Sequence, residues 1–138
     1  MSAAEPSPLR PYLGNGRRVP VVVVAEDDAD LRMLFVGALL EDGYRVVAAR
    51  DGVELANTLD ALGDGVDAVV ADHRMPGIWG LDCLARYKGK APFAIVTGHA
   101  DSQLRAIAEH YGVTEIHQKP IDLETFKRVV ATLVHGDR

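Results

Sequence analysis

Five side chains of this sequence could do chemistry as a group: Glu26 and Asp27, Asp72, Thr97, and Lys119. Each stands at the end of a short apolar run. VVVVA (21–25) leads into the acidic pair, DAVVAD (67–72) ends in Asp72 itself, PFAIVT (92–97) ends in Thr97, and TEIHQ (114–118) precedes Lys119. In a parallel sheet all carboxyl ends lie at one edge, so these groups converge although the sequence scatters them. Two carboxylates about 4 Å apart repel by roughly 4 kcal/mol at an effective dielectric near 20, so three of them demand a neutralising cation. Lys119 supplies one charge. The all-oxygen set suits Mg2+ or Mn2+, hard ions that keep several waters and take one or two carboxylates plus a phosphate oxygen. The valines hold the acids in place, and a divalent ion makes their proximity tolerable.

The elements that must position these groups follow from periodicity. After the first strand, Leu31, Leu34, Phe35, Ala38 and Leu39 form the stripe of an amphipathic helix that Gly43 can end. YRVVAA (44–49) reads as a strand, and Val53, Ala56, Leu59 and Leu62 share a helical face before Gly63. The strand at 67–72 is followed by a short helix over 81–88, stopped by Gly89, and the strand at 92–97 by a helix with Asp101 or Ser102 as N-cap and Gly112 at its end. After the fifth strand, Asp122 caps a helix whose Leu123, Phe126, Val130 and Leu133 share a face. Strands alternating with helices, several of the strands apolar throughout, predict an α/β fold: a doubly wound three-layer sandwich with a five-stranded parallel sheet.

At 138 residues, 48% hydrophobic and 25% charged, the chain has the makeup of one domain with a real core. Residues 1–18, with Pro6, Pro8, Pro11, Gly14 and Gly16, read as an irregular lead-in, and the fold is placed over 19–138. The net charge of −5 argues against an unaided nucleic-acid or anionic-membrane surface. No apolar run approaches the roughly 18 residues of a membrane span, and the N-terminus carries no signal-like apolar stretch, so a cytoplasmic setting is expected. The lone Cys83 fits a reducing compartment and a packing role.

Four motifs carry a resemblance. VVVVAEDDADLR, VVADHRMPGIWGLD, IVTGH and IHQKP occur in this order, each at a strand end, and from Val19 to about Val134 the sequence resembles bacterial response-regulator receiver domains of two-component signalling. The resemblance implies a flavodoxin-like strand order 2-1-3-4-5. It implies that Asp72 accepts a phosphoryl group from a sensor histidine kinase or a histidine phosphotransfer protein. Asp27, Asp72 and the Arg74 backbone carbonyl then ligate Mg2+ directly, and Glu26 does so through water. Thr97 hydrogen-bonds the phosphoryl oxygens, Gly98 leaves room for them, and Lys119, aimed by a cis Lys-Pro bond, pairs with them. Output goes to an unknown downstream protein, or to a second copy, through the face of the fourth helix, fifth strand and fifth helix. No DNA-binding or catalytic segment is seen after Val134, so either a free-standing regulator or a piece of a longer protein is expected.

Simpler roles compete for several residues. Asp28 and Asp30 are explained as helix-capping and helix-dipole carboxylates, Met75 as packing, and Pro76-Gly77 as a turn. His73, His99 and His117 lack metal-ligand spacing, though His99, two past Thr97, stands where family members tune the lifetime of the phosphoryl group. Ile116 occupies the position where most members carry a switching aromatic, which supports an alternative: a non-switching pseudo-receiver serving as an interaction scaffold. Trp79, before Gly80, puts a large apolar ring near the pocket mouth, or is instead a contact residue or packed on the sheet edge. A dinucleotide site is disfavoured because AEDDAD replaces the glycine-rich loop after the first strand. An aspartyl phosphatase lacks a substrate cap.

Overall fold

Val21 to Ala25 have no polar side chain to present to water, and all five residues are buried, so this segment occupies an interior position of the sheet, with a strand on either side. The computed structural model describes residues 18–113 and 115–136; apart from Arg18, the expected lead-in lies outside the described residues. The strands are β1 (Val21–Ala25), β2 (Arg45–Ala49), β3 (Ala68–Ala71), β4 (Phe93–Thr97) and β5 (Glu115–Gln118), and the helices are α1 (Ala29–Glu41), α2 (Gly52–Leu62), α3 (Gly80–Arg86), α4 (Ser102–His110) and α5 (Leu123–His135). All strand pairs are parallel, in the order β2-β1-β3-β4-β5. The α/β three-layer, flavodoxin-like architecture expected from the sequence is the one observed.

Alternation along each strand divides the core in two. Val22 and Val24 of β1 face Phe35 and Leu39 of α1 and Phe126 and Val130 of α5. Val23 and Ala25 face the other way, toward Leu55 and Leu59 of α2, Leu81 of α3 and Leu104 of α4. Across the first layer, Phe35 and Phe126 stack with ring centroids 4.0 Å apart and planes 8° from parallel, a pairing that contributes about 0.5–1.5 kcal/mol beyond burial. Four helices begin at aspartates: Asp28, Asp51, Asp101 and Asp122 accept hydrogen bonds from the amides of Leu31, Glu54, Leu104 and Thr125. Each such cap stabilises its helix start by about 1 kcal/mol.

Some faces differ from the periodic reading. Leu34 and Val53 are exposed. The inner stripe of α2 is Leu55, Ala56 and Leu59, while Val53 turns toward Gly77, whose added Cβ would lie 2.6 Å from Val53 Cγ2. Helix α3 ends at Arg86, short of Gly89, because Tyr87 leaves the helix to donate its hydroxyl to the Gly63 carbonyl at 2.9 Å and to pack against Phe93.

Candidate functional site

The β1–β3–β4–β5 edge delivers four of the five side chains by backbone register alone. Ala25 pairs with Ala71, and the Asp72 amide donates to the Ala25 carbonyl at 3.0 Å, so Glu26 and Asp72 leave adjacent strands side by side. Thr97 ends β4 opposite Gln118, and the Lys119 amide donates to the Thr97 carbonyl at 2.8 Å. The Lys119–Pro120 bond is cis.

The Lys119 ammonium then spans the gap. Its Nζ lies 2.7 Å from Asp72 Oδ2 and 2.7 Å from Glu26 Oε1. Each carboxylate keeps a second partner: Glu26 Oε2 accepts from the Asp28 amide at 3.1 Å, and Asp72 Oδ1 accepts from the Arg74 amide at 3.1 Å. Asp27 is exposed, and one of its oxygens, one of Glu26 and one of Asp72 all lie within 4.8 Å of one another. Among the described residues this is the one cluster of acidic, histidine or cysteine groups close enough to share a metal ion. Thr97 is 1% exposed, with Oγ1 facing the His99 amide at 3.5 Å.

Electrostatically the site is short of positive charge. Burial raises the Glu26 pKa, and the hydrogen bond and charge of Lys119 only partly oppose it. For Lys119, burial alone would lower the pKa, but hydrogen bonds to Asp72 and Glu26 and their charges outweigh it, and the net shift is upward. One ammonium thus pairs with two of the three clustered carboxylates. The donor set is all oxygen and open on the Asp27 side, which suits a small hard dication.

The remaining candidates separate. His73 has its pKa lowered by burial, against the raising effect of nearby Asp82 and Asp72, and its Nδ1 faces the Leu81 amide at 3.4 Å while its carbonyl accepts from Gly80 at 2.8 Å. It therefore serves the start of α3, which has no side-chain cap at Trp79. His117 pairs with Glu115 at 2.8 Å. His99 lines a cleft with His73, Arg74 and Trp79. None of the three histidines joins the acidic cluster. Trp79 is 50% exposed, edge-on to His73 at 5.1 Å and 5.9 Å from the Arg74 guanidinium, so it packs on the loop between β3 and α3 and not on a sheet edge. Met75 is buried and Asp28 is the α1 cap. Ile116 packs against the α2–α3–α4 core. The Cys83 thiol is buried against the Gly52 carbonyl, its pKa pushed up to about 11 by burial. Sequence reasoning missed Gln118, which bonds to the loop after Thr97; its only signal was adjacency to Lys119.

Comparisons with known proteins agree with this geometry. The model of the response regulator receiver domain family matches residues 22–131. The transcriptional regulatory protein FixJ of Bradyrhizobium diazoefficiens is 29% identical over 116 residues, covering 82% of this chain and 56% of its own length. The chain thus spans about half of that relative. Among solved structures, the non-phosphorylated HemR receiver domain of Leptospira biflexa superposes with a TM-score of 0.75 at 27% identity, over 86% of this chain and 97% of that one. The receiver domain of the Pseudomonas aeruginosa sensor kinase PA1611, described with a magnesium ion in its active-site cleft, matches in fold with a TM-score of 0.73 at 19% identity, over 86% and 99%. With the family model covering most of the chain and the acidic cluster at the predicted strand ends, this protein belongs to the response regulator receiver domain family of two-component signalling.

Proposed function

We propose that Asp72 accepts a phosphoryl group from the phosphohistidine of a sensor kinase or phosphotransfer protein, and that the modified domain changes its affinity for a downstream partner. The observation that carries this reading is the placement of Lys119 Nζ 2.7 Å from both Asp72 and Glu26 with Asp27 alongside. It is a carboxylate nucleophile flanked by a fixed cation and an incomplete oxygen cage.

In the transfer, an Asp72 carboxylate oxygen forms a bond to phosphorus as the phosphorus–nitrogen bond to the donor imidazole breaks. The electron pair stays on that nitrogen, which takes up a proton. Such a step needs in-line positioning and charge neutralisation more than protein acid–base chemistry. Lys119 pairs with the incoming phosphoryl oxygens, and Thr97, fixed at the end of β4, donates its hydroxyl to them. Gly98 leaves room, since a Cβ there would meet nothing within 4 Å. Glu26, Asp27, Asp72 and the Arg74 carbonyl are the groups we assign to Mg2+, or Mn2+ in its place. When bound, that ion supplies the charge neutralisation that lets phosphoryl oxygens approach three acids.

Output is assigned to the α4–β5–α5 face, either to a protein partner or to a second copy. We place the exchange in the cytoplasm, where a lone thiol such as Cys83 stays reduced. Incubating the purified chain with Mg2+ and a small acyl phosphate tests the reading. A mass gain of one phosphoryl group, abolished by Asp72→Ala and by chelation, is expected; no gain in the wild type overturns it.

A further inference from the structure

The loop between β4 and α4, residues 98–101, is tied down by side chains of its neighbours. The Gln118 amide nitrogen donates to the Gly98 carbonyl at 2.6 Å, and its amide oxygen accepts from the Ala100 amide at 2.9 Å. Arg105 adds longer contacts, from Nε to the Ala100 carbonyl at 3.3 Å and from Nη1 to the Ile116 carbonyl at 3.5 Å. The Gln118 bonds flank His99, whose own amide is the group facing Thr97 Oγ1 at 3.5 Å. Gln118 is also the strand partner of Thr97 and the residue before Lys119.

We propose that Gln118 is a positioning residue for phosphoryl transfer: its amide holds the 98–100 backbone so that the Thr97 hydroxyl and the Lys119 ammonium present themselves to the same phosphoryl group. This rests on the reading of Asp72 as phosphoacceptor. Only a primary amide of this length both donates to Gly98 and accepts from Ala100; alanine does neither, and a glutamate carboxylate only accepts. Because Gln118 is exposed, its bonds add little to global stability. Their effect falls on local geometry, to which group transfer is far more sensitive.

The test compares wild type, Gln118→Ala and Gln118→Glu in three measurements: the rate of phosphorylation by a small acyl phosphate, Mg2+ affinity from Trp79 fluorescence, and amide hydrogen exchange at His99 and Ala100. Gln118→Ala is expected to slow phosphorylation about five- to tenfold and to speed exchange at Ala100 by a similar factor, with Mg2+ affinity and melting temperature unchanged. Gln118→Glu, keeping the Ala100 bond, falls between. A wild-type rate in Gln118→Ala, or a slower rate without faster exchange, overturns the proposal. A slower rate matched by an equal loss of Mg2+ affinity also overturns it, as general damage to the site. Wild-type protein that takes no phosphoryl group defeats the phosphoacceptor reading instead, and the exchange measurement then decides the tie alone: unchanged exchange overturns it.

Discussion

Lys119 Nζ sits 2.7 Å from Glu26 Oε1, and that carboxylate is 1% exposed. A buried acid this close to a single ammonium depends on it. Removing one partner of a buried pair leaves the other charge uncompensated, at a cost of about 3–5 kcal/mol when burial is complete.

Lys119 is partly exposed, so Lys119→Met should destabilise the metal-free protein by a smaller amount, about 2–3 kcal/mol at pH 7. The pH dependence has a definite sign. The folded-state pKa of Lys119 is raised above 10.5, so its contribution is full below that pH and is lost as pH climbs through the folded value. The gap between wild type and Lys119→Met should therefore close above pH 10.5. It should also narrow on acidification, because the Glu26 pKa is already raised by burial and the acid protonates more readily without its cation. Denaturant titrations across pH check both limits; a gap that widens in base contradicts the pairing.

Asp27 tests the divalent ion separately from the fold. It is exposed and has two other carboxylates within 4.8 Å, so Asp27→Asn removes a like-charge repulsion and should leave metal-free stability equal to wild type or above it. Mg2+ at a hundred times its dissociation constant should stabilise wild type by about 2.7 kcal/mol and Asp27→Asn much less at the same concentration. Equal stabilisation of both would remove Asp27 from the cation site.

Gly80 is required by a close approach. A Cβ there would lie 2.6 Å from the Asp72 carbonyl oxygen and 3.2 Å from His73 Cα, and backbone cannot yield cheaply. Gly80→Ala should cost about 1–3 kcal/mol and slow phosphorylation by pushing the Asp72 backbone from its place. Thermal melts and the acyl phosphate assay read the two effects; a neutral substitution would show that the β3–α3 loop is freer than its packing indicates.

Cys83, with its thiol pKa near 11, should resist alkylation at pH 8 in the folded protein and react fully in denaturant. Labelling at the same rate in both states would place the thiol outside the core.

The order of strands and helices, the aspartate caps at Asp28, Asp101 and Asp122 and the two apolar layers were legible in the sequence because periods of 2 and 3.6 and the chemistry of caps are local; the Asp51 cap of α2 was not read. The five strand-end groups were legible for the same reason, once the strands were taken as parallel. Where local pattern competed with packing, packing prevailed. Val53 left the inner face of α2 for Gly77, and Tyr87 ended α3 early by reaching Gly63.

By itself the sequence determined which groups stand at one edge of a parallel sheet, since strand polarity sends every carboxyl end the same way. Only the tertiary structure decided how they meet: that one ammonium bridges Glu26 and Asp72, that Gly80 packs on the Asp72 backbone, and that Gln118 holds the loop beside Thr97. Such distances are set by how loops from different crossovers pack together, and no spacing along the chain encodes them.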